Sequence, residues 1–243
     1  MKTIGMVGGT GWISTLEYYR HINEETNRRL GGLEAARCLL YSLNYGDVDR
    51  LNRAGDPRGV YELVFQGAKV LVGGGAEGLV FCANTLHMFA DELQVQIPRP
   101  IIHIAEATAR HIRSRGLDRV ALLGTRPTME MDFYKAKLMA AGITTLVPEA
   151  EDDRRFIHDA INRELIKGIV LPATKDRFLA ILEALRARGA QGAVLGCTEI
   201  PILLKQEDTD LPVFDTLVIH ADAAVDFALE DGCSQARGKS PDP

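Results

Sequence analysis

A thiol, a hydroxyl and a carboxylate stand in a row at Cys197, Thr198 and Glu199, closing the segment Gly189 to Glu199, GAQGAVLGCTE. An earlier segment, Gly75 to Thr85, reads GAEGLVFCANT and is a near-copy at an offset of about 114 residues, which marks an internal repeat. Gly75 falls on Gly189, Gly78 on Gly192, Val80 on Val194 and Asn84 on Thr198. Cys197 falls on Ala83, not on Cys82, so two related halves bring their strand ends to one site with a thiol in one and a methyl group in the other. A thiol at a strand-to-helix corner lies among backbone N–H dipoles. These favour the thiolate and lower its pKa from a reference of about 8.5, giving a base or nucleophile near neutral pH. Cysteine is also a common core residue; the corner before Thr198-Glu199 favours a functional role.

Side chains that bind a carboxylate without adding full charge recur at four strand ends: Thr10, Asn84 with Thr85, Thr125 with Thr128, and Thr198. Each is also an ordinary cap residue, so the recurrence weighs more than any single member.

The elements that must position these groups alternate buried strands with amphipathic helices, the pattern of a parallel sheet covered on both faces. Thr3 to Val7 is an expected strand, Gly8-Gly9-Thr10-Gly11 a turn, and the following helix runs to about Arg29, with Ser14 or Thr15 as N-cap and Glu17 within capping-box reach. A strand, Gly-rich turn and helix start receive an anion, but the GxGxxG spacing of a dinucleotide site is lacking. Further strands are expected at Arg37 to Leu43, Gly78 to Phe81, Ile101-Ile102, Arg119 to Leu123, Thr144 to Val147, before Cys197, and at Pro212 to Asp215. Between the second and third of all these strands the sequence reads as a polar loop through Gly46-Asp47 and Asp56-Pro57, then a helix over about Val60 to Val72.

At 243 residues the chain suffices for one large α/β domain or two small ones, and the repeat favours two. The expected first domain is 1–104 plus 210–231, the second 105–209, and 232–243 is an expected disordered tail that contains Cys233. A charged fraction of 25%, a hydrophobic fraction of 46% and a formal charge of -5 suit a globular protein that does not take nucleic acid as its main partner. No apolar run approaches the roughly 18 residues of a membrane span. The N-terminus enters a strand pattern directly, without the features of a signal peptide. Four cysteines without CxxC spacing fit a reducing cytoplasm.

Gly8-Gly9-Thr10-Gly11-Trp12-Ile13-Ser14-Thr15, Asn84-Thr85-Leu86-His87, Leu123-Gly124-Thr125 and Gly196-Cys197-Thr198-Glu199-Ile200 resemble, in order and spacing, the aspartate/glutamate racemase family, closest to its broad-specificity amino-acid branch. The resemblance covers residues 1 to about 230. It implies two pseudosymmetric α/β domains with the site in the cleft between them, a homodimer, an acidic amino acid as substrate, and no cofactor, neither pyridoxal phosphate nor metal. It also implies two cysteines on opposite faces of the substrate. Inverting a stereocentre takes a proton from one face and returns one to the other, so each thiol serves as base in one direction and acid in the other. Donors to the substrate carboxylate would stabilise the charge that develops.

The chain departs from that pattern at Ala83, where the family carries its first cysteine. Cys82, one residue early, points to the opposite side of a regular strand. Ala83 is read either as an inactivating substitution or as the mark of a member with one catalytic thiol. The alternatives are a single-cysteine dicarboxylate lyase or isomerase and a non-catalytic amino-acid-binding relative. By resemblance, Lys167 binds the distal carboxylate, Asn52 lies where relatives carry a polar contact, and His220, following Asp215-Thr216, orients or polarises Cys197. Lys167 also reads as a cation at a helix end, His220 and His87 as structural histidines, and Glu199 as a helix cap or a partner for the substrate ammonium.

Overall fold

The computed structural model describes residues 1–230; the expected tail and Cys233 lie outside them. The chain divides into two compact units. The first holds Met1–Cys82, Phe89–Ile102 and the described residues from His220 onward; the second holds Ala83–Met88 and His103–Ile219.

The first unit is built on strands β1 (Ile4–Gly8), β2 (Cys38–Ser42) and β3 (Gly78–Phe81), all parallel, in the order β2-β1-β3. Every residue of β1 and β3 is buried, as expected for parallel strands covered on both faces. The expected strand at Ile101-Ile102 reduces to a single bridge from Ile101 to Leu79, because Pro98 and Pro100 before it have no N–H to extend a ladder. Helices α1 (Trp12–Leu30), α2 (Tyr45–Arg53), α3 (Pro57–Gly73) and α4 (Ala90–Gln96) complete the unit, with the later part of α10 (Thr216–Leu229).

Two local expectations are corrected. The N-cap of α1 is Gly11, not Ser14 or Thr15. The Thr15 hydroxyl accepts from the Gly9 N–H and donates to the Gly11 carbonyl, both at 3.0 Å, which ties the turn from inside the first helical turn. Glu17 forms no capping box; it pairs with Arg20. The polar loop at Gly46-Asp47 is in fact α2, whose start is stabilised by Asn44, accepting from Gly46 N–H at 3.2 Å, and by Asp47 in the first turn. Val48 is its only buried side chain, so hydrophobic periodicity gives little sign of it.

The second unit carries β4 (Arg119–Gly124), β5 (Thr144–Leu146), β6 (Ala193–Gly196) and β7 (Val213–Asp215), parallel, in the order β5-β4-β6-β7. Around them lie α5 (Ile104–Ser114), α6 (Arg126–Glu130), α7 (Asp132–Ala140), α8 (Glu151–Arg163) and α9 (Pro172–Ala187). Leu123, Ile157, Phe178, Leu182 and Leu195 belong to one buried cluster, each such side chain worth roughly 1.5–3 kcal/mol of burial. The order β5-β4-β6 reproduces β2-β1-β3, so the sequence repeat is a repeat of topology. Its glycines keep their conformation: Gly75 and Gly189 have φ of 98° and 96°, where a side chain would be strained.

The unit boundaries differ from the domain limits expected from sequence. Residues 210–219 go with the second unit because β7 pairs with β6. Ala83–Met88 goes there too, because Asn84 and Thr85 bond to Thr216 and Thr125.

Candidate active site

The carboxyl ends of β4 and β6 meet on two glycines that leave no room for a Cβ. Gly124 and Gly196 are in register, and a Cβ on Gly124 would lie 2.8 Å from the Gly196 carbonyl. That approach brings Thr125, which follows β4, beside the loop of Cys197, which follows β6. Thr125 caps α6, and Thr128 is fully buried one turn on.

Cys197 is 8% exposed, and its Sγ donates to Glu199 Oε2 at 2.9 Å. Thr198 Oγ1 donates to the same oxygen at 3.1 Å. Burial pushes the thiol far above its ordinary range, and the Glu199 carboxylate pushes it the same way; hydrogen bonds from the Glu199 and Thr198 backbone oppose both. The expectation of a depressed thiol is therefore corrected: the N–H dipoles are present, but desolvation and an adjacent carboxylate outweigh them. Burial and the hydrogen bond to the Glu199 carboxylate both favour the thiol form of Cys197.

The Asn84-Thr85 segment is fastened to the same sheet. Asn84 Nδ2 donates to Thr216 Oγ1 at 3.0 Å, and that hydroxyl donates to the Leu195 carbonyl of β6 at 2.8 Å. Thr216, fully buried, is a residue that sequence reasoning passed over; its place between a strand end and a helix start was the available signal. The hydroxyls of Thr85, Thr125 and Thr128 form a chain with both links 3.2 Å long. Three hydroxyls carry three hydrogens and the two links use two, so one remains to donate elsewhere. Asn84 is 3% exposed, and its Oδ1 is buried without a hydrogen-bond partner. Ala83 is half-buried, and its carbonyl accepts from His87 Nδ1 at 3.0 Å, which fixes the turn and the His87 tautomer.

Of the remaining residues, Thr10, Asn52, His220 and Cys82 belong to the first unit and Lys167 to the second. In the first unit, Thr10 Oγ1 is buried without a partner, and Asn52 is exposed near the end of α2. His220 is fully buried and has both ring nitrogens engaged: Nε2 donates to the Ile102 carbonyl at 2.6 Å, so Nδ1 accepts from the Tyr18 hydroxyl at 2.9 Å. Tyr18 is its unforeseen partner, and both contacts lie within the first unit. Cys82 is 1% exposed, its N–H continues the ladder to Val7, and burial drives its thiol far up, which makes it a poor base. In the second unit, Lys167 is an exposed cation in a 3-10 turn over Leu165–Lys167, before Gly168.

Among the described residues no group of His, Cys, Asp or Glu side chains is arranged to hold a metal ion, and no helix is long and apolar enough to cross a membrane. The family model described as Asp/Glu/Hydantoin racemase matches residues 7–224. The chain belongs to this racemase family. A crystal structure from Yersinia pestis, of a protein provisionally assigned to the Asp/Glu racemases, is 41% identical, with a TM-score of 0.88 over 94% of this chain and 100% of that one. An aspartate racemase homologue from Pyrococcus horikoshii is 33% identical, with a TM-score of 0.81 over 94% and 99%. The broad specificity amino-acid racemase of Bacillus subtilis is 23% identical over 93% of this chain and 98% of its own length.

Proposed function

We propose that this family member moves the α-proton of a small acidic amino acid by thiol acid/base chemistry, using protein side chains alone, with Cys197 as the acid/base group. The observation that carries the reading is the Cys197–Glu199 hydrogen bond at the end of β6. In the acid direction the thiol delivers its proton. In the base direction the thiol first loses that proton to solvent, and the thiolate then takes the α-proton.

The substrate class is supported by complementarity. Asn84 Oδ1 is a buried acceptor without a partner, suited to an ammonium group, and the Thr85, Thr125 and Thr128 chain has a hydrogen to donate to a carboxylate. An acceptor and a donor on adjacent residues match the two ends of an amino acid. Lys167, an exposed cation, is the proposed partner of a distal carboxylate. Thr10, Thr198 and Asn52 are retained as further contacts, and the homodimer and cytoplasmic location implied by the resemblance belong to the same reading. The free thiols at Cys38, Cys82 and Cys197 support a reducing compartment.

Ala83 gives this reading its particular form. With a methyl group where the resemblance implies a thiol, Cys197 serves one face only. The test is proton NMR in deuterium oxide on each enantiomer of aspartate and glutamate. Exchange of one enantiomer without inversion is the expected result. Loss of a carboxyl group or an isomeric product would instead establish the single-cysteine lyase or isomerase, and affinity without exchange the non-catalytic binding relative.

The pH dependence follows from the thiol. Proton abstraction needs the thiolate, so the exchange rate should rise with pH into the alkaline range. Glu199→Gln removes a carboxylate that pushes the thiol up, so the rising limb should move to lower pH. An unmoved profile would sink the assignment of this pair.

A further inference from the structure

Helices α5 and α7 leave a surface groove of about 570 Å³ between them, within the second unit and built from other residues than the candidate active site. Its apolar lining is Ala109 on α5 with Ala140 and Ala141 at the end of α7. These small side chains leave the space open. Arg110 and Arg113 of α5 line it as well, both exposed, and among the described residues neither forms an ion pair. Arg20, Arg28 and Arg29 on α1 and Arg154, Arg155 and Arg163 on α8, by contrast, all meet carboxylates. The one carboxylate lining the groove, Glu106, is held by Lys137 at 3.0 Å. Three cations against one anion leave the groove with a local charge of +2, on a chain whose net charge is -5.

We propose that this groove binds a small metabolite with clustered oxyanions, phosphate or carboxylate. Residues three apart on a helix lie on one face, about 5–6 Å between their Cβ atoms. Two guanidinium forks at that spacing converge on one multiply charged ligand, each able to grip an oxyanion through two parallel N–H donors. Arg113 and His111, in the last turn of α5, also complement the helix dipole. Arg110 lies outside that turn, so the dipole does not account for it. The alanines take the apolar body of the ligand, and the Lys137–Glu106 pair closes one side without cancelling the arginines.

The test is isothermal titration calorimetry of the full chain at low ionic strength, with inorganic pyrophosphate and with citrate as probes. The expected result is one site per chain for at least one probe, with a dissociation constant on the order of a millimolar or tighter, weakening steeply with added salt. Binding of pyrophosphate alone identifies a phosphate site, and binding of citrate alone a carboxylate site. Arg110→Gln and Arg113→Gln should each weaken binding roughly tenfold, and the double variant should abolish it. Both residues are exposed, so the variants should unfold at the wild-type temperature. Failure of both probes to bind, or binding by the double variant equal to wild type, would overturn the proposal.

Discussion

Replacing Cys197 by serine is expected to slow α-proton exchange by about 10²- to 10⁴-fold, the usual contribution of a positioned acid/base group. A serine hydroxyl can still donate to Glu199, so the geometry at the end of β6 should survive while the acidity is lost. The substitution is nearly isosteric and the site is 8% exposed. Thermal unfolding should therefore shift by only a few degrees, about 1 kcal/mol or less. The measurement is deuterium incorporation at Cα by NMR, alongside a thermal melt. A Cys197→Ser variant that exchanges as fast as wild type would end the claim that this thiol moves the proton. A variant that fails to fold is separated from that outcome by its melt.

The second large effect is expected from Ala83→Cys. If Cys197 serves one face only, exchange runs without inversion. Placing a thiol at the other repeat position should then make inversion appear at a rate at least tenfold above the wild-type background, within the range a general acid supplies. The position suits the change. Ala83 is half-buried, so a sulfur atom has room, and its carbonyl is anchored by His87, so the turn that presents the new side chain is already held. Chiral chromatography of the product measures inversion directly. Adding Cys82→Ser should leave the gain intact, because Cys82 is sealed in the core of the first unit. Exchange that persists without inversion in Ala83→Cys would mean that residue 83 does not reach the second face. New inversion that vanishes on Cys82→Ser would assign the acid to Cys82.

Much of the arrangement is legible before folding. The strand at Ile4–Gly8 and its counterpart at Arg119–Gly124 are apolar runs ending on glycine, and both lie at the middle of their sheets. The repeat from Gly75 and from Gly189 ends in matching strands because the same left-handed glycine turn feeds each one. The thiol and carboxylate of Cys197 and Glu199 are two residues apart, so their hydrogen bond needs little from the rest of the chain. Asn44 hid a helix: its cap and one buried valine suffice for α2, but neither makes a periodic pattern.

By itself, then, the sequence determined the two parallel sheets, the repeat that relates them, and the presence of Cys197 opposite Ala83 in that repeat. These depend on residue type and local spacing, which a linear chain already contains. The tertiary structure alone decided what the groups experience. Asn84 reaches Thr216 across 132 positions to join the β6 end, His220 is taken up by Tyr18 across 202, and the Cys197 thiol is raised instead of lowered. Desolvation and hydrogen-bond partnership depend on which distant residues arrive to displace water, and only packing determines that.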